Sequence, residues 1–372
     1  MKVAIVHDWL NQKVGGAEHV LFELVQQHPD ADVFALTYNQ KLFRPYLGMR
    51  HVRTTFLQRM PSFLKKRPHY LLPFVRRAVR SFDFSGYDLV ISNSTAWAKN
   101  IRVPAGVKHL SYCHSPARML WDSWPSYMAT KVSGVSFIAA VQRFIITSLA
   151  SKLRLWDYYA TREIDLIVGN SQYISRRINK FYRIDDAPVL YPPVDAPARD
   201  RMPSQEPYYL VVSVLSRYKN IDLVINAFRG NGKNLIIAGV GPDFDRLTKL
   251  AGNAKNIVFE GRVSNQRRDE LLAAAEGFIF PSIEDFGMTP VEAMSFGTPV
   301  IALRGGGLME TVEEGVSGVF FDQANEDDLG KAIAAAEKTT WQRKRIQAEA
   351  ERFSKERFAK NLQDYEAKVM AT

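Results

Sequence analysis

Cysteine is almost absent from this chain of 372 residues, with Cys113 its one example. A lone thiol excludes a disulfide framework within the chain and fits a reducing compartment. Long apolar runs are missing too, since none reaches the roughly 20 residues that a membrane-spanning helix needs. Met1-Lys2 leads straight into the apolar Val3-Ala4-Ile5-Val6, so no signal peptide is expected. The G-x-G-x-x-G spacing is absent after that first strand, where Gly15-Gly16-Ala17-Glu18 stands instead, which weakens a dinucleotide reading. No acidic cluster invites assignment to Mg²⁺. Acids are also in deficit: 49 Lys and Arg against 39 Asp and Glu leave a net charge of +10. Such an excess implies an anionic partner or surface.

What is present reads as α/β. Short apolar runs at Val3–Val6, Asp32–Leu36, Leu89–Ser92, His109–Cys113, Leu166–Gly169 and Val189–Tyr191 predict strands, with amphipathic helices between several of them. The helix opened by Gly15-Gly16 carries Val20, Leu21, Leu24 and Val25 on one face. A second series follows at Tyr209–Val214, Leu235–Ala238, Ile257–Glu260, Phe278–Phe280, Val300–Leu303 and Val319–Phe321. Strands alternating with helices mean parallel sheets covered on both faces. Tyr191-Pro192-Pro193-Val194-Asp195, with Pro197, Pro203 and Pro207 beyond, has the composition of a linker. Two Rossmann-like domains are therefore expected, 1–195 and 196–350, followed by a helical tail, 351–372.

The most informative stretch runs from Gly277 to Asp322. Phe278-Ile279-Phe280 is a buried strand, Ser282–Met288 a loop, and Thr289-Pro290 a helix start with a hydroxyl at the N-cap and proline at the first helical position. The helix is expected over Pro290–Phe296, closed by Gly297. A strand, loop and helix N-terminus in this order form an anion site. Glu284 and Glu292 flank it. Carboxylates accept hydrogen bonds from vicinal diols, so the pair beside an anion site suits a ligand that carries both phosphates and sugars, a nucleotide sugar. Glu292 alone also fits a first-turn glutamate complementing the helix dipole.

Glu284-Asp285-Phe286-Gly287, then Pro290-Val291-Glu292-Ala293-Met294, Gly297-Thr298-Pro299-Val300-Ile301 and Gly305-Gly306-Gly307 resemble the E-x7-E signature of the family-4 retaining glycosyltransferases. The resemblance implies the GT-B fold, two Rossmann-like domains facing each other across a cleft, with the C-terminal helix returning to the first. It places Glu284 on the donor sugar, Glu292 on the donor ribose, and the backbone of Met288 and Thr289 on the diphosphate, with Asp285, Phe286 and Gly287 in the same donor loop. Gly15 and Gly16 resemble the family's GGAE element near phosphate and acceptor, though turn glycines of unusual dihedrals read equally well there. Gly239-Val240-Gly241-Pro242 and Gly261-Arg262-Val263 match loops that flank the nucleotide, which puts Gly241, Arg262 and Val263 at the donor.

Tyr112-Cys113-His114-Ser115-Pro116-Ala117-Arg118, continuing to Trp121-Asp122, resembles a segment of a subgroup that builds bacterial surface polysaccharide from GDP-mannose. By that resemblance His114 contacts the donor or the transition state. Asn170-Ser171 and Arg176-Arg177 also resemble the family. Ser216-Arg217-Tyr218-Lys219-Asn220 departs from it. Lys219 matches the lysine that meets the diphosphate, but the family's arginine, five residues earlier, is here Val214, and Arg217 is the available substitute.

Between Arg50 and Arg80 stand nine Lys or Arg and no acid, interleaved with Phe, Leu, Tyr and Pro. Such a pattern binds an anionic lipid surface; no recognition motif supports nucleic acid. In Lys131–Tyr159, Phe137, Ile138, Val141, Phe144, Ile145 and Leu149 recur at helical spacing, a stripe that reads as core. The expectation is thus a cytoplasmic transferase, peripheral at the inner face of the membrane, moving mannose from GDP-mannose to a lipid-linked oligosaccharide without a metal or other cofactor. A UDP-sugar donor, a nucleotide-sugar 2-epimerase and a non-catalytic donor-binding scaffold remain alternatives.

Overall fold

A computed structural model describes residues 1–11, 14–65, 71–122, 137–195 and 206–372. The chain divides into two units, Met1–Tyr191 with Phe358–Thr372, and Pro192–Arg357. The changeovers fall at Tyr191 and Phe358 rather than at 195 and 351.

The first unit is built on a parallel sheet of β1 (Val3–Leu10), β2 (Asp32–Tyr38), β3 (Val52–Thr54), β4 (Leu89–Ser94), β5 (Lys108–Cys113) and β6 (Leu166–Gly169). Their order, β3-β2-β1-β4-β5-β6, is the doubly wound arrangement. β1 lies in its middle, and its alternate residues serve opposite faces. Val3 and Ile5 join the core formed with Val20, Leu21 and Leu24 of the helix Gly16–Gln27, whereas Ala4 and Val6 join Phe34, Val75, Trp97 and Trp156. The last helix, Lys355–Ala371, adds Phe358, Leu362 and Val369 to the first of these cores. Its Glu366 Oε1 lies 2.7 Å from His28 Nε2, and its Tyr365 hydroxyl donates to the Val189 carbonyl at 3.1 Å.

Two expectations for this unit change. Val189–Tyr191 is not a strand: Val189 makes an isolated bridge to Gly169, and two prolines at once deny it further donors. β3 lies inside the basic segment, where a three-residue edge strand leaves no legible alternation. The helix Phe137–Ala160 buries Ala150, Leu153 and Trp156, with Leu149 packed beside them, while Leu155 and Tyr159 are exposed. The side chains of 137–146, including Phe137, Ile138, Val141, Phe144 and Ile145, lie outside the described residues, as do Lys66 and Arg67.

A buried ion pair ties this unit together. Lys99 and Asp157 are both fully buried, with Nζ 2.6 Å from Oδ1. Asn100 Nδ2 donates to the same oxygen at 3.0 Å, and Trp121 Nε1 and the Tyr182 hydroxyl donate to Oδ2, each at 2.8 Å. Asp157 thus joins four segments far apart in sequence.

The second unit repeats the plan with β7 (Tyr208–Val212), β8 (Asn234–Ala238), β9 (Ile257–Gly261), β10 (Gly277–Phe280), β11 (Val300–Leu303) and β12 (Gly318–Phe321), ordered β12-β11-β10-β7-β8-β9. Both sheets therefore reverse direction of winding at one point, between β1 and β4 in the first and between β10 and β7 in the second. Loops at the carboxyl ends of such strand pairs are where open α/β sheets bind ligands.

Candidate functional site

The loop after β10 is shaped by glycines. The following helix spans Met288–Ser295, not Pro290–Phe296, and its N-cap is Gly287, not Thr289. Gly287 has φ 89°, a left-handed conformation closed to most residues. This turn starts the helix two residues early, and Pro290 is still harmless there because the first-turn N–H groups have no intrahelical partner. Glu292 is consequently the fifth helical residue, and the first turn carries no acid, so the dipole alone does not account for it. Gly305-Gly306-Gly307 backs the same loop. The Gly307 N–H donates to the Glu284 carbonyl at 2.9 Å, and a Cβ on Gly307 would collide with Phe286 Cα and the Asp285 carbonyl. The three glycines, quoted above only as part of a motif, hold Glu284 in place.

Lys219 meets Glu284. It ends the short turn Arg217–Lys219 after β7, and its Nζ is 2.6 Å from Glu284 Oε1, with the side chains 14% and 19% exposed. Asn220 fixes the turn by donating to the Pro281 carbonyl at 2.9 Å. A lysine and a glutamate thus sit at the switch point of the second sheet, each reachable by solvent. Arg217 does not share this arrangement. Its side chain is 80% exposed, and its only ion pair among the described residues is with Asp243, at 4.0 Å. Val214 is exposed as well.

Glu292 is 18% exposed, and Arg268 Nη1 lies 3.6 Å from its Oε1. Burial pushes its carboxyl above the ordinary range; Arg268 pulls it back, and Asp269 and Asp195 push it further up. Arg268 was not anticipated, because nothing in Asn265–Ala274 distinguishes it from a solvated helix face. Among the other expected donor residues, Phe286 is buried edge-on against Phe353 at 5.3 Å and acts as a packing residue. Gly241 lies tight against the Leu215 carbonyl, which leaves no room for a side chain. Arg262 is exposed and Val263 half-buried, between β9 and a helix capped by the Ser264 hydroxyl. Asp285, Met288 and Thr289 are half-buried in the loop and helix start.

In the first unit, His114 follows β5 and is half-buried, with Nε2 2.6 Å from Asn93 Oδ1. Burial depresses its pKa to about 3, aided by His7 and opposed by Glu18 and Asp8. The ring is therefore uncharged near neutrality. Gly15 is the N-cap of the helix Gly16–Gln27, and its N–H donates to Glu18 Oε2 at 2.8 Å. That N–H is engaged within the protein, which leaves Gly16 as the one of the pair at the open start of the helix. Burial pushes the Glu18 carboxyl up, but His7 and the Gly15 N–H outweigh it, and the net shift is downward. Ser171 caps the helix Gln172–Tyr182, and from that helix Arg177 pairs with Asp122 and donates to Ser115 at 3.0 Å, so Arg177 holds the His114 segment to its neighbour. Among the described residues no group of His, Cys, Asp and Glu has the arrangement of a metal site.

Comparison with known proteins agrees with this architecture. Residues 14–196 match the family described as Glycosyltransferase Family 4, and residues 196–353 match Glycosyl transferases group 1. The α-1,3/1,6-mannosyltransferase ALG2 of Dictyostelium discoideum is 25% identical over 88% of this chain and 87% of its own. A GDP-mannose-dependent α-(1-6)-phosphatidylinositol monomannoside mannosyltransferase of Mycobacterium tuberculosis is 31% identical over 35% of this chain and 38% of its own. Other curated relatives align in part: the chain spans 60% of the length of one and 35% of another. Among solved structures, Anabaena HepE in complex with UDP superposes with a TM-score of 0.69 at 20% identity, covering 99% of this chain and all of that one. With both halves matched and both sheets wound alike, the chain belongs to the family-4 glycosyltransferases and has the GT-B fold.

Proposed function

We propose that this glycosyltransferase moves mannose from GDP-mannose to a lipid-linked saccharide, with retention of anomeric configuration, at an anionic membrane surface. The observation that carries the reading is the Lys219–Glu284 pair at the switch point of the second sheet. A nucleotide sugar offers that pair one half each: its diphosphate takes the ammonium, and its hydroxyls take the carboxylate.

Breaking the sugar–diphosphate bond builds negative charge on the leaving phosphate and positive, oxocarbenium-like charge on the sugar. Lys219 and the free N–H groups of Met288 and Thr289 stabilise the first without reorganising as it forms. Glu284 orients the sugar through its hydroxyls, Glu292 accepts from the ribose diol, and Arg262 and Val263 border the base. Arg217 stays at the rim with Asp243, so Lys219 carries most of the cationic duty. His114 contributes a neutral imidazole to the transferred sugar. The mannosyltransferase relatives support the choice of sugar, and the subgroup resemblance around His114 supports GDP.

For the membrane, the described part of the basic segment exposes Phe56, Phe63 and Phe74 together with Arg59, Arg76, Arg77 and Arg80. Phe63 is 66% exposed, the most exposed of the three rings. Aromatic insertion and phosphate attraction reinforce each other at a lipid surface. Among the described residues no helix is long and apolar enough to cross a membrane.

A panel of GDP, UDP, ADP and CMP with their sugar conjugates tests the reading by thermal shift, because a ligand of the folded state raises the midpoint with concentration. GDP and GDP-mannose are expected to stand out. A larger shift with UDP compounds overturns the donor, and no shift with any nucleotide overturns the transferase reading in favour of a scaffold.

A further inference from the structure

The switch point of the first sheet holds a chain of hydrogen bonds whose direction is fixed by one backbone carbonyl. His7 on β1 and Asn93 on β4 are direct register partners, and both are buried. Asn93 Nδ2 lies 2.8 Å from the Ala17 carbonyl and 3.1 Å from His7 Nδ1. A carbonyl only accepts, so the atom beside it is the amide nitrogen, and the other side-chain atom is the amide oxygen. That oxygen only accepts, so His114 Nε2, 2.6 Å away, carries a proton. By the same logic His7 Nδ1 accepts from Asn93, which puts the His7 proton on Nε2, 3.5 Å from Glu18 Oε1. The other Glu18 oxygen is taken by the Gly15 N–H. Every donor and acceptor of the Asn93 amide group is thereby assigned.

We propose that Asn93 is a positioning residue for His114: oriented by the Ala17 carbonyl, its amide holds the imidazole as the Nε2–H tautomer and leaves Nδ1 as the ring's acceptor for a sugar hydroxyl. The role rests on the transferase reading, in which His114 meets the transferred sugar. It also has an electrostatic purpose. A protonated ring beside an oxocarbenium-like centre would raise the barrier, whereas an uncharged ring orients the sugar without repelling it. His7 and Glu18 extend the control to the Gly15-Gly16 turn, so the imidazole and the helix start are held by one network. Neither His7 nor Asn93 stood out in the sequence, where each directly follows an expected strand, Val3–Val6 or Leu89–Ser92; the structure extends those strands through both residues.

Long-range ¹H–¹⁵N spectra of the imidazoles in the full-length protein test this directly, with His114 assigned through a His114→Gln variant. The expected result is the neutral Nε2–H pattern, unchanged between about pH 5 and 8. A Nδ1–H tautomer, or a ring that titrates in that window, overturns the proposal. In Asn93→Asp, the carboxylate still accepts from His114 but adds a charge that favours imidazolium. His114 is then expected to titrate higher, and kcat to fall about 10²-fold with little change in donor KM and a new pH dependence on the acid side. An unchanged His114 titration and unchanged kcat in a folded Asn93→Asp protein also overturn it. If the wild type shows the expected tautomer but turns over no nucleotide sugar, the transferase reading fails and the positioning role fails with it, while the tautomer stands as found.

Discussion

Lys219 Nζ lies 2.6 Å from Glu284 Oε1, across the loops that follow two adjacent strands of the second sheet. In the proposed function, each residue neutralises the other until a ligand brings a charge for one and hydroxyls for the other. Glu284→Ala is therefore expected to spare GDP affinity, since it releases the lysine, while it lowers turnover. Lys219→Ala is expected to weaken GDP and to lower kcat about 10²- to 10³-fold, the scale of losing one preorganised cation or donor. Titration calorimetry with GDP beside steady-state kinetics checks both. A Glu284→Ala protein that loses GDP affinity and turnover equally contradicts the sugar role.

Glu292 makes two opposed predictions. Its carboxyl is raised in the folded protein by burial, so the charged form costs stability above its folded pKa and costs nothing below the unfolded value. Glu292→Gln is expected to raise the melting midpoint of the ligand-free protein near neutral pH, with the gain vanishing as pH falls into the ordinary carboxylate range. The same variant is expected to lose affinity for GDP and GDP-mannose alike, about 10-fold, because the amide accepts from the ribose diol less strongly than the carboxylate. Melts across pH and a GDP titration separate the effects. Unchanged GDP affinity removes Glu292 from the ribose.

Asp157 predicts a stability effect with no ligand involved. Removing one partner of a fully buried ion pair leaves a charge with nothing to offset it, which costs about 3–5 kcal/mol. Asp157→Leu is expected to lose stability on that scale in urea unfolding, and Lys99→Met added to it to recover a large part. Loss of under about 1 kcal/mol in the single variant would place Lys99 in water in solution.

The basic segment predicts a salt-dependent association. Arg76→Glu with Arg77→Glu is expected to release the protein from phosphatidylserine-containing vesicles, since each basic residue near such a surface contributes about 1 kcal/mol. Phe63→Ser is expected to weaken binding at all salt concentrations, because insertion is not screened. Sedimentation with vesicles measures both. Binding that survives the charge reversal at low salt rules out this surface as the docking face.

The sequence by itself determined most of the strand and helix series, the proline-rich linker composition, and the loop of Glu284 with the helix of Glu292 after it. These are local matters: buried parallel strands read as short apolar runs, prolines as a linker, and a strand-loop-helix string as an anion site. It misread what depended on backbone geometry. The helix start moved to Met288 because Gly287 turns left-handed, and Val189–Tyr191 failed as a strand because prolines follow at once. Only the tertiary structure decided which residues meet. Lys219 and Glu284 are 65 positions apart, His7 and Asn93 are 86 apart, and each pair is joined by parallel strands whose connections cross over long stretches of chain. No periodicity within a window reports such a meeting, and a buried histidine or asparagine on a strand looks like any other strand residue until its neighbours across the sheet are known. Arg217 shows the converse. Two positions from Lys219 in sequence, it projects to Asp243 instead, because a tight turn sends successive side chains in different directions.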